Sequence, residues 1–333
     1  MVIQLRAIGD VILTTPVFSV LKRNFPTANI HFLTGQGMHE LVEGLPEIGA
    51  LFTLPESGNL LQNLQFYFNI RKQNYDLVID YQCTPGTAFI TWLSGAAFRI
   101  GWKMERRQWA YNLYSDANIE RVYVSYQKCR ALKLIGVHEE SRMLRVKIAE
   151  NQYPIVDNFF REHNISRENL LVNITPKGKR PARQWFPEKI AELADFLIDN
   201  YNAVVFYNRA PGEEKYASEV AALSKNLIHI LPLWPLSTFA AFLDCIDLHI
   251  SYDNGPKHLA MAVGTPTISL FATDFPDLWN PMDKPDHPFI LAPVPCRFCR
   301  LKKCPIMICM KKVDVSDVVA KIQEIPKIQS KIS

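Results

Sequence analysis

Asp253-Asn254-Gly255-Pro256-Lys257-His258 puts an acid, an amide, a turn-forming pair, a cation and an imidazole in one short run, between an apolar stretch and a short helical one. Residues 248–252 read as a strand and Asn254-Gly255-Pro256 permits a tight turn. Pro256 suits a first helical position, and Gly264 with Pro266 beyond it ends a helix over 257–263. A helix start of this kind, facing the carboxyl end of a strand, presents amide donors and suits phosphate. His258, in the first turn, adds a donor. An ordinary crossover in which Asp253 merely caps the helix accounts for the same residues.

Asp10 follows Gly9 directly after the first strand, so its carboxylate belongs at the edge of a sheet. That is a place for a general base, and equally for a helix cap or a first-turn acid complementing the helix dipole. Thr175-Pro176-Lys177-Gly178-Lys179-Arg180-Pro181-Ala182-Arg183-Gln184-Trp185 is a basic loop following the first strand of the second half. Thr175, Lys177 and Arg183, with helix-start amides, could hold a pyrophosphate; a solvated basic loop is the plain alternative. Glu213 opens a later helix, where a carboxylate could accept from ribose hydroxyls or simply complement the helix start. No Walker loop occurs and no G-x-G-x-x-G follows the first strand, so P-loop and ordinary dinucleotide readings lose support.

Cys296, Cys299, Cys304 and Cys309 form C-x2-C-x4-C-x4-C and could bind structural zinc or iron. Arg297, Arg300, Lys302 and Lys303 beside them favour thiolates. The spacing departs from the paired C-x2-C of zinc ribbons, and free or transiently oxidised thiols fit it as well. Cys83, Cys129 and Cys245 read as core residues. Trp102, Trp109, Tyr111 and Tyr114 either stack on sugar rings or are simply buried.

These residues need elements to carry them, and strand-like and helix-like stretches alternate throughout, which argues for parallel sheets covered by helices on both faces. The first half offers strands over 2–5, 30–34, 51–54, 77–80 and 98–101, with helices over 16–24, 39–44, 60–73, 87–93 and 122–135. The second half offers strands over 171–174, 203–207, 227–230, 248–252 and 267–270, with helices over 187–200, 213–224 and 237–245. Residues 281–295 read as loop and 314–325 as a closing helix. The polar stretch 139–151 is the expected linker, giving domains 1–150 and 151–333. The expected fold class is α/β, two Rossmann-like parallel-sheet domains facing a cleft. The first strand is short for a buried parallel strand, and the true start could lie upstream of Met1.

At 333 residues, 48% apolar and 21% charged, the chain exceeds a usual single core, which supports two domains. No segment has the length of apolar sequence a membrane span needs, and no signal peptide is evident, so the expected location is cytoplasmic, with peripheral contact at the inner membrane allowed. A formal charge of +4 permits contact with anionic lipid and implies no nucleic acid. Seven cysteines without an export signal argue against a disulfide framework.

Five segments in register, IGDVILTTPVFSVLKRNFP at 8–26, YDLVIDYQ at 75–82, RIGW at 99–102, RQWFPEKIAELA at 183–194 and DNGPKHLAMAVGTPTISLF at 253–271, resemble the glycosyltransferase family 9 heptosyltransferases. The resemblance implies the GT-B fold and inverting transfer of heptose from an ADP-sugar donor to the lipopolysaccharide inner core at the inner membrane surface, with no cofactor. It assigns Asp10 as catalytic base, Arg183 to the donor phosphates in place of a frequent Lys, and Glu213 to the ribose. Asp253, Asn254, Gly255 and His258 match D-[ST]-G-x-x-H, the segment holding ADP and sugar. Asn254 departs from Ser or Thr, which changes little if its backbone amide makes the contact, and Lys257 is expected to lend its charge to phosphate. Another sugar, another glycan or a protein acceptor, and an inactive GT-B nucleotide-binding protein are the alternatives the resemblance leaves open.

Overall fold

A strand covered by helices on both faces has no solvent-facing side, and the central strands show it: β1 (Val2–Gln4) and β2 (Ile30–Thr34) in the first half, and β7 (Leu171–Ile174), β10 (Leu248–Tyr252) and β11 (Thr267–Phe271) in the second, are buried at every position, polar residues such as His31, Asn173, His249 and Ser269 included. The computed structural model describes residues 1–55, 60–104, 106–178, 180–296, 299, 301 and 303–332. The chain divides into Met1–Lys147 and Ile148–Ser333, slightly before the boundary expected at 150/151.

The first unit completes its sheet with β3 (Ile48–Thr53), β4 (Leu77–Asp80), β5 (Phe98–Trp102) and β6 (Leu113–Ser115), in the order β3-β2-β1-β4-β5-β6. The second adds β8 (Val204–Tyr207), β9 (His229–Ile230) and β12 (Phe289–Leu291), in the order β12-β11-β10-β7-β8-β9. Every ladder is parallel. Renumbered within its own unit, each sheet reads 3-2-1-4-5-6, the doubly wound order. Its direction of winding reverses between β1 and β4 in one unit and between β7 and β10 in the other, and loops leaving the carboxyl ends there enclose ligands in this fold class.

Several expectations need correction. Edge strands β6 and β12 were not anticipated, the latter falling in the expected loop 281–295, because three residues are too few to show a pattern. A short helix, Ile8–Ile12, precedes Thr15–Asn24, and the helix expected over 39–44 is one turn, His39–Leu41. The helix expected over 122–135 is α-helical at Val124–Arg130 and tightens to a three-residue repeat at Ala131–Ile135. The helix Tyr153–Glu162 follows the expected linker directly and went unforeseen.

Behind the end of β4 the chain is held by a buried acid. Asp80 accepts from the amides of Gln82 and Cys83 at 2.9 Å each and from the Tyr111 hydroxyl at 2.8 Å. Burial raises its pKa, and those donors counter the rise. Tyr111 fits there because residue 101 is glycine: a Cβ on Gly101 would come within 2.7 Å of the Tyr111 ring. Gly101→Ala must therefore push the ring off Asp80, and should cost about 1–3 kcal/mol of unfolding free energy in urea titration; an unchanged midpoint would show that the ring is free to move.

Candidate active site

In the first unit the turn after β1 is built around a buried lysine. Lys128 is 3% exposed, and its ammonium donates to Asp10 O at 2.7 Å, Thr14 Oγ1 at 2.7 Å and Gln4 Oε1 at 3.0 Å, using all three protons. Thr14 Oγ1 in turn donates to Asp10 O at 2.8 Å. Gln82, just past β4, supplies the other restraint: its Oε1 accepts from Leu5 N at 3.2 Å, Arg6 N at 3.1 Å and Gln4 Nε2 at 2.9 Å. One side chain thus satisfies the backbone that continues β1 beyond its last ladder bond. Between these restraints the half-buried Asp10 lies in the first turn of Ile8–Ile12, where Oδ2 accepts from Ala7 N at 3.2 Å. Asp10 therefore acts locally as a first-turn acid; a carboxylate with one weak amide bond and partial exposure can also accept a proton.

Neither Lys128 nor Gln82 was assigned a role from sequence. Gln82 stood inside a quoted segment. Lys128 had a readable signal, since Val124, Lys128, Ala131 and Ile135 repeat with helical spacing on an otherwise apolar face.

In the second unit Asn254 caps the helix Gly255–Val263, its Oδ1 accepting from Lys257 N at 3.2 Å. At the cap the Asn254 side chain thus does what Ser or Thr would do. Lys257 does not reach outward as expected. Its side chain is wholly buried, with Nζ 2.9 Å from Asp253 Oδ1, 2.8 Å from Trp279 O and 4.7 Å from the Phe271 ring centroid. Burial lowers its pKa, and Asp253 opposes that. Its charge is spent on Asp253, because a first-turn helix residue five positions beyond the strand end points back under the turn. His258 is also buried, its Nε2 3.9 Å from Asp253 Oδ1 and its ring 6.3 Å from Trp279.

The basic loop closes over this turn through one hydroxyl. Tyr252, at the end of β10, donates to Pro176 O at 3.2 Å and accepts from Trp185 N at 3.1 Å, pinning both ends of 176–185. Arg183 Nε donates to Thr273 Oγ1 at 3.0 Å, and its guanidinium lies 3.6 Å from Asp253 Oδ2 and pairs with Asp274. Asp274, not singled out from sequence, has its pKa raised by burial with Arg183 opposing. Lys177 sits 3.8 Å from Glu213 Oε1 and 5.4 Å from the Tyr216 ring, and Glu213 Oε2 accepts from Ala210 N at 3.0 Å. Thr175 turns inward, its hydroxyl donating to Asn208 Oδ1 at 2.8 Å. The structure thus gathers Arg183, Asp253, Lys257 and His258 around one strand end, with Lys177 and Glu213 as a second pair. An anion could exchange with the carboxylates on Arg183 and Lys177, and the Gly255–Val263 helix start adds a positive dipole end. Lys179 lies outside the described residues.

The cysteine expectation fares differently. Cys296 and Cys299 are exposed, Cys304 Sγ accepts from Met307 N at 3.3 Å, and Cys309 is buried, with burial raising its pKa. Among the described residues no three His, Cys, Asp or Glu side chains gather closely enough to hold a metal ion. Arg297, Arg300 and Lys302 lie outside the described residues. Trp102 is tied down, its Nε1 donating to Tyr81 O at 3.0 Å, and Tyr111 holds Asp80, so neither is placed for sugar stacking.

The family model described as Glycosyltransferase family 9 (heptosyltransferase) matches residues 64–308. Lipopolysaccharide heptosyltransferase 1 of Campylobacter coli is 24% identical over 288 residues, covering 81% of this chain and 82% of its own length. The family 9 glycosyl transferase structure from Veillonella parvula DSM 2008 superposes with a TM-score of 0.85 at 18% identity, covering 99% of this chain and 96% of that one. E. coli heptosyltransferase WaaC with ADP superposes with a TM-score of 0.75 at 17% identity, covering 97% and 98%. The structural likenesses show the GT-B fold.

Two expected outcomes test these restraints. Burial lowers the Lys128 pKa from 10.5 to about 8, with Asp10 opposing. Between those values the unfolded chain holds a proton the folded chain has released, so stability from this group rises with pH, by at most about 1.4 kcal/mol per pH unit. Lys128→Met should flatten that slope in unfolding titrations from pH 7.5 to 10.5; a slope equal to the wild type would contradict the assignment. Tyr252→Phe strands Pro176 O and Trp185 N at little change in volume and should cost about 1–3 kcal/mol. Calorimetry that finds no loss would mean the loop is held by other contacts.

Proposed function

The chain belongs to glycosyltransferase family 9 and is a glycosyltransferase, and from that premise we propose that it moves heptose from an ADP-activated donor to a hydroxyl of a lipopolysaccharide inner-core acceptor, inverting the anomeric carbon. The observation that carries the proposal is the division of chemical labour between two strand ends, each beside the point where its sheet reverses its winding. The first unit offers a half-buried acid, Asp10, fixed through its own carbonyl; the second offers cations around an acid and a capped helix start. The relatives named as lipopolysaccharide heptosyltransferases, and a structure of this fold with ADP, support the choice of donor and acceptor class.

In this reading Asp10 takes the proton from the acceptor hydroxyl while that oxygen forms its bond to the anomeric carbon. The bond from that carbon to the diphosphate breaks, and its electron pair leaves on ADP. Arg183, Lys177 and the Gly255–Val263 helix start meet the charge that develops, and Glu213 accepts from the ribose. Arg183 is held between Asp253 and Asp274 beforehand, so the diphosphate replaces part of an existing ion-pair network and binds a cation already in position. Lys257 orients Asp253 from beneath the turn. These protein cations supply the charge stabilisation that transfer requires, so no step is assigned to a metal.

Asp10→Ala should lower kcat by about 10²- to 10⁴-fold with ADP affinity and thermal stability nearly unchanged. Turnover would be followed with a truncated lipopolysaccharide acceptor and ADP affinity by calorimetry. Full turnover in the variant, or loss of ADP binding in parallel with turnover while the fold is kept, would remove Asp10 from the role of base.

A further inference from the structure

Helix Leu60–Lys72 has the wrong surface for a helix that faces only water. Leu64 and Phe68, one turn apart on one side, are 55% and 58% exposed, and the helix contains no carboxylate. Tyr67 joins it to the neighbouring helix Pro85–Leu93 through Phe89, the ring centroids 5.3 Å apart. From there the aromatic surface continues: Phe89 to Trp92 at 6.0 Å, and Trp92 to Trp109 at 6.1 Å, with Trp92 50% and Trp109 55% exposed. Three separate segments of the first unit thus present one connected aromatic face to solvent. Scattered exposed side chains need no explanation, but a contiguous aromatic face does.

Charge decides what such a face fits. The sequence from 60 to 115 contains Arg71, Lys72, Arg99, Lys103, Arg106 and Arg107 against Asp76, Asp80 and Glu105. Asp80 is buried, and Glu105 lies outside the described residues, so Asp76 is the exposed carboxylate among those described. Arg71, Lys72, Lys103 and Arg106 are exposed, and Lys72 Nζ lies 4.6 Å from the Phe68 ring, its stem along the apolar face and its charge at the rim. Trp and Phe with Lys72 at the rim, and Arg71 beside them donating to Ser94 O at 2.9 Å, is the composition that settles at the level of lipid headgroups, apolar atoms in the acyl boundary and cations among phosphates. A second copy of this chain would set cations against cations across a two-fold axis, which disfavours self-association through this face.

We propose that this face of the first unit docks the protein on a bilayer carrying anionic headgroups. The inference goes beyond the transfer reaction, since vesicle binding occurs or fails without any sugar being moved. Attachment here would confine the enzyme to the surface where lipid-anchored acceptors are found, and it needs no spanning helix; none of the described helices is long and apolar enough to cross a membrane.

The test is co-sedimentation of the full chain with phosphatidylethanolamine–phosphatidylglycerol vesicles and with phosphatidylcholine vesicles, at low and high salt. The expected result is binding to the anionic vesicles that weakens with salt, and about tenfold weaker partition for Phe68→Gln/Trp92→Gln. That variant should keep the wild-type melting temperature and ADP affinity. Brominated lipid should quench tryptophan emission in the wild type and lose most of that quenching in Trp92→Phe/Trp109→Phe, which retains binding. Three results would overturn the proposal: no vesicle binding by the wild type, equal binding by wild type and Phe68→Gln/Trp92→Gln, or quenching unchanged in Trp92→Phe/Trp109→Phe. Concentration-dependent dimerisation that the same substitutions abolish would assign the face to a second copy, and would equally overturn it.

Discussion

Each unit sets a buried ammonium beneath the turn that leaves one of the two strands flanking its point of reversal, and the acid at that turn has its geometry from it. Under β1 it is Lys128, held by three oxygens including the carbonyl of Asp10; under β10 it is Lys257, held by Asp253 and a carbonyl of Trp279. Burying a charge is costly unless it is paired and hydrogen-bonded, so each lysine tolerates one arrangement of its surroundings and few others. The consequence is rigidity where the chemistry needs it. A turn that would otherwise be a solvent-exposed connection is tied from below, and the acid above it keeps its place.

The two lysines act in different ways. Lys128 grips the backbone of Asp10, leaving the carboxylate half-buried with one amide bond from Ala7. Lys257 grips the carboxylate of Asp253 itself, which faces Arg183 and His258. A base must be free to gain a proton, whereas an acid that organises cations must not, and the difference in attachment matches those two tasks. Single hydroxyls and amides complete the scaffold: Gln82 continues β1 by satisfying Leu5 and Arg6, and Tyr252 closes the basic loop at both ends. Such contacts fix side chains on the rigid ends of strands rather than on long loops.

The α/β class, the two-unit division and nearly all central strands were legible because the buried parallel strands are short runs rich in Val, Ile, Leu and Phe, with Gly, Pro and Asn marking the turns at their ends. Edge strands β6 and β12 were not, since three residues paired on one side leave almost no pattern. Asp10 and Asp253 were legible as acids at strand ends. The lysines beneath them were harder: Lys257 looked like a ligand-facing cation because sequence spacing does not say which side of a helix start is buried. Lys128 was a cation on an apolar face, a signal that takes the whole helix to see. Asp274 lies beyond β11 and meets Arg183 only through the parallel ladder, which no local reading reveals.

The central claim is a single displacement with one protein base and a diphosphate leaving group held by protein cations. The most direct test is the anomeric configuration of the product, read by NMR from the coupling across the newly formed glycosidic carbon after reaction with an ADP-heptose donor of known configuration. The account predicts clean inversion. Retention would require a covalent or front-face route for which Asp10 is not arranged, and would contradict it.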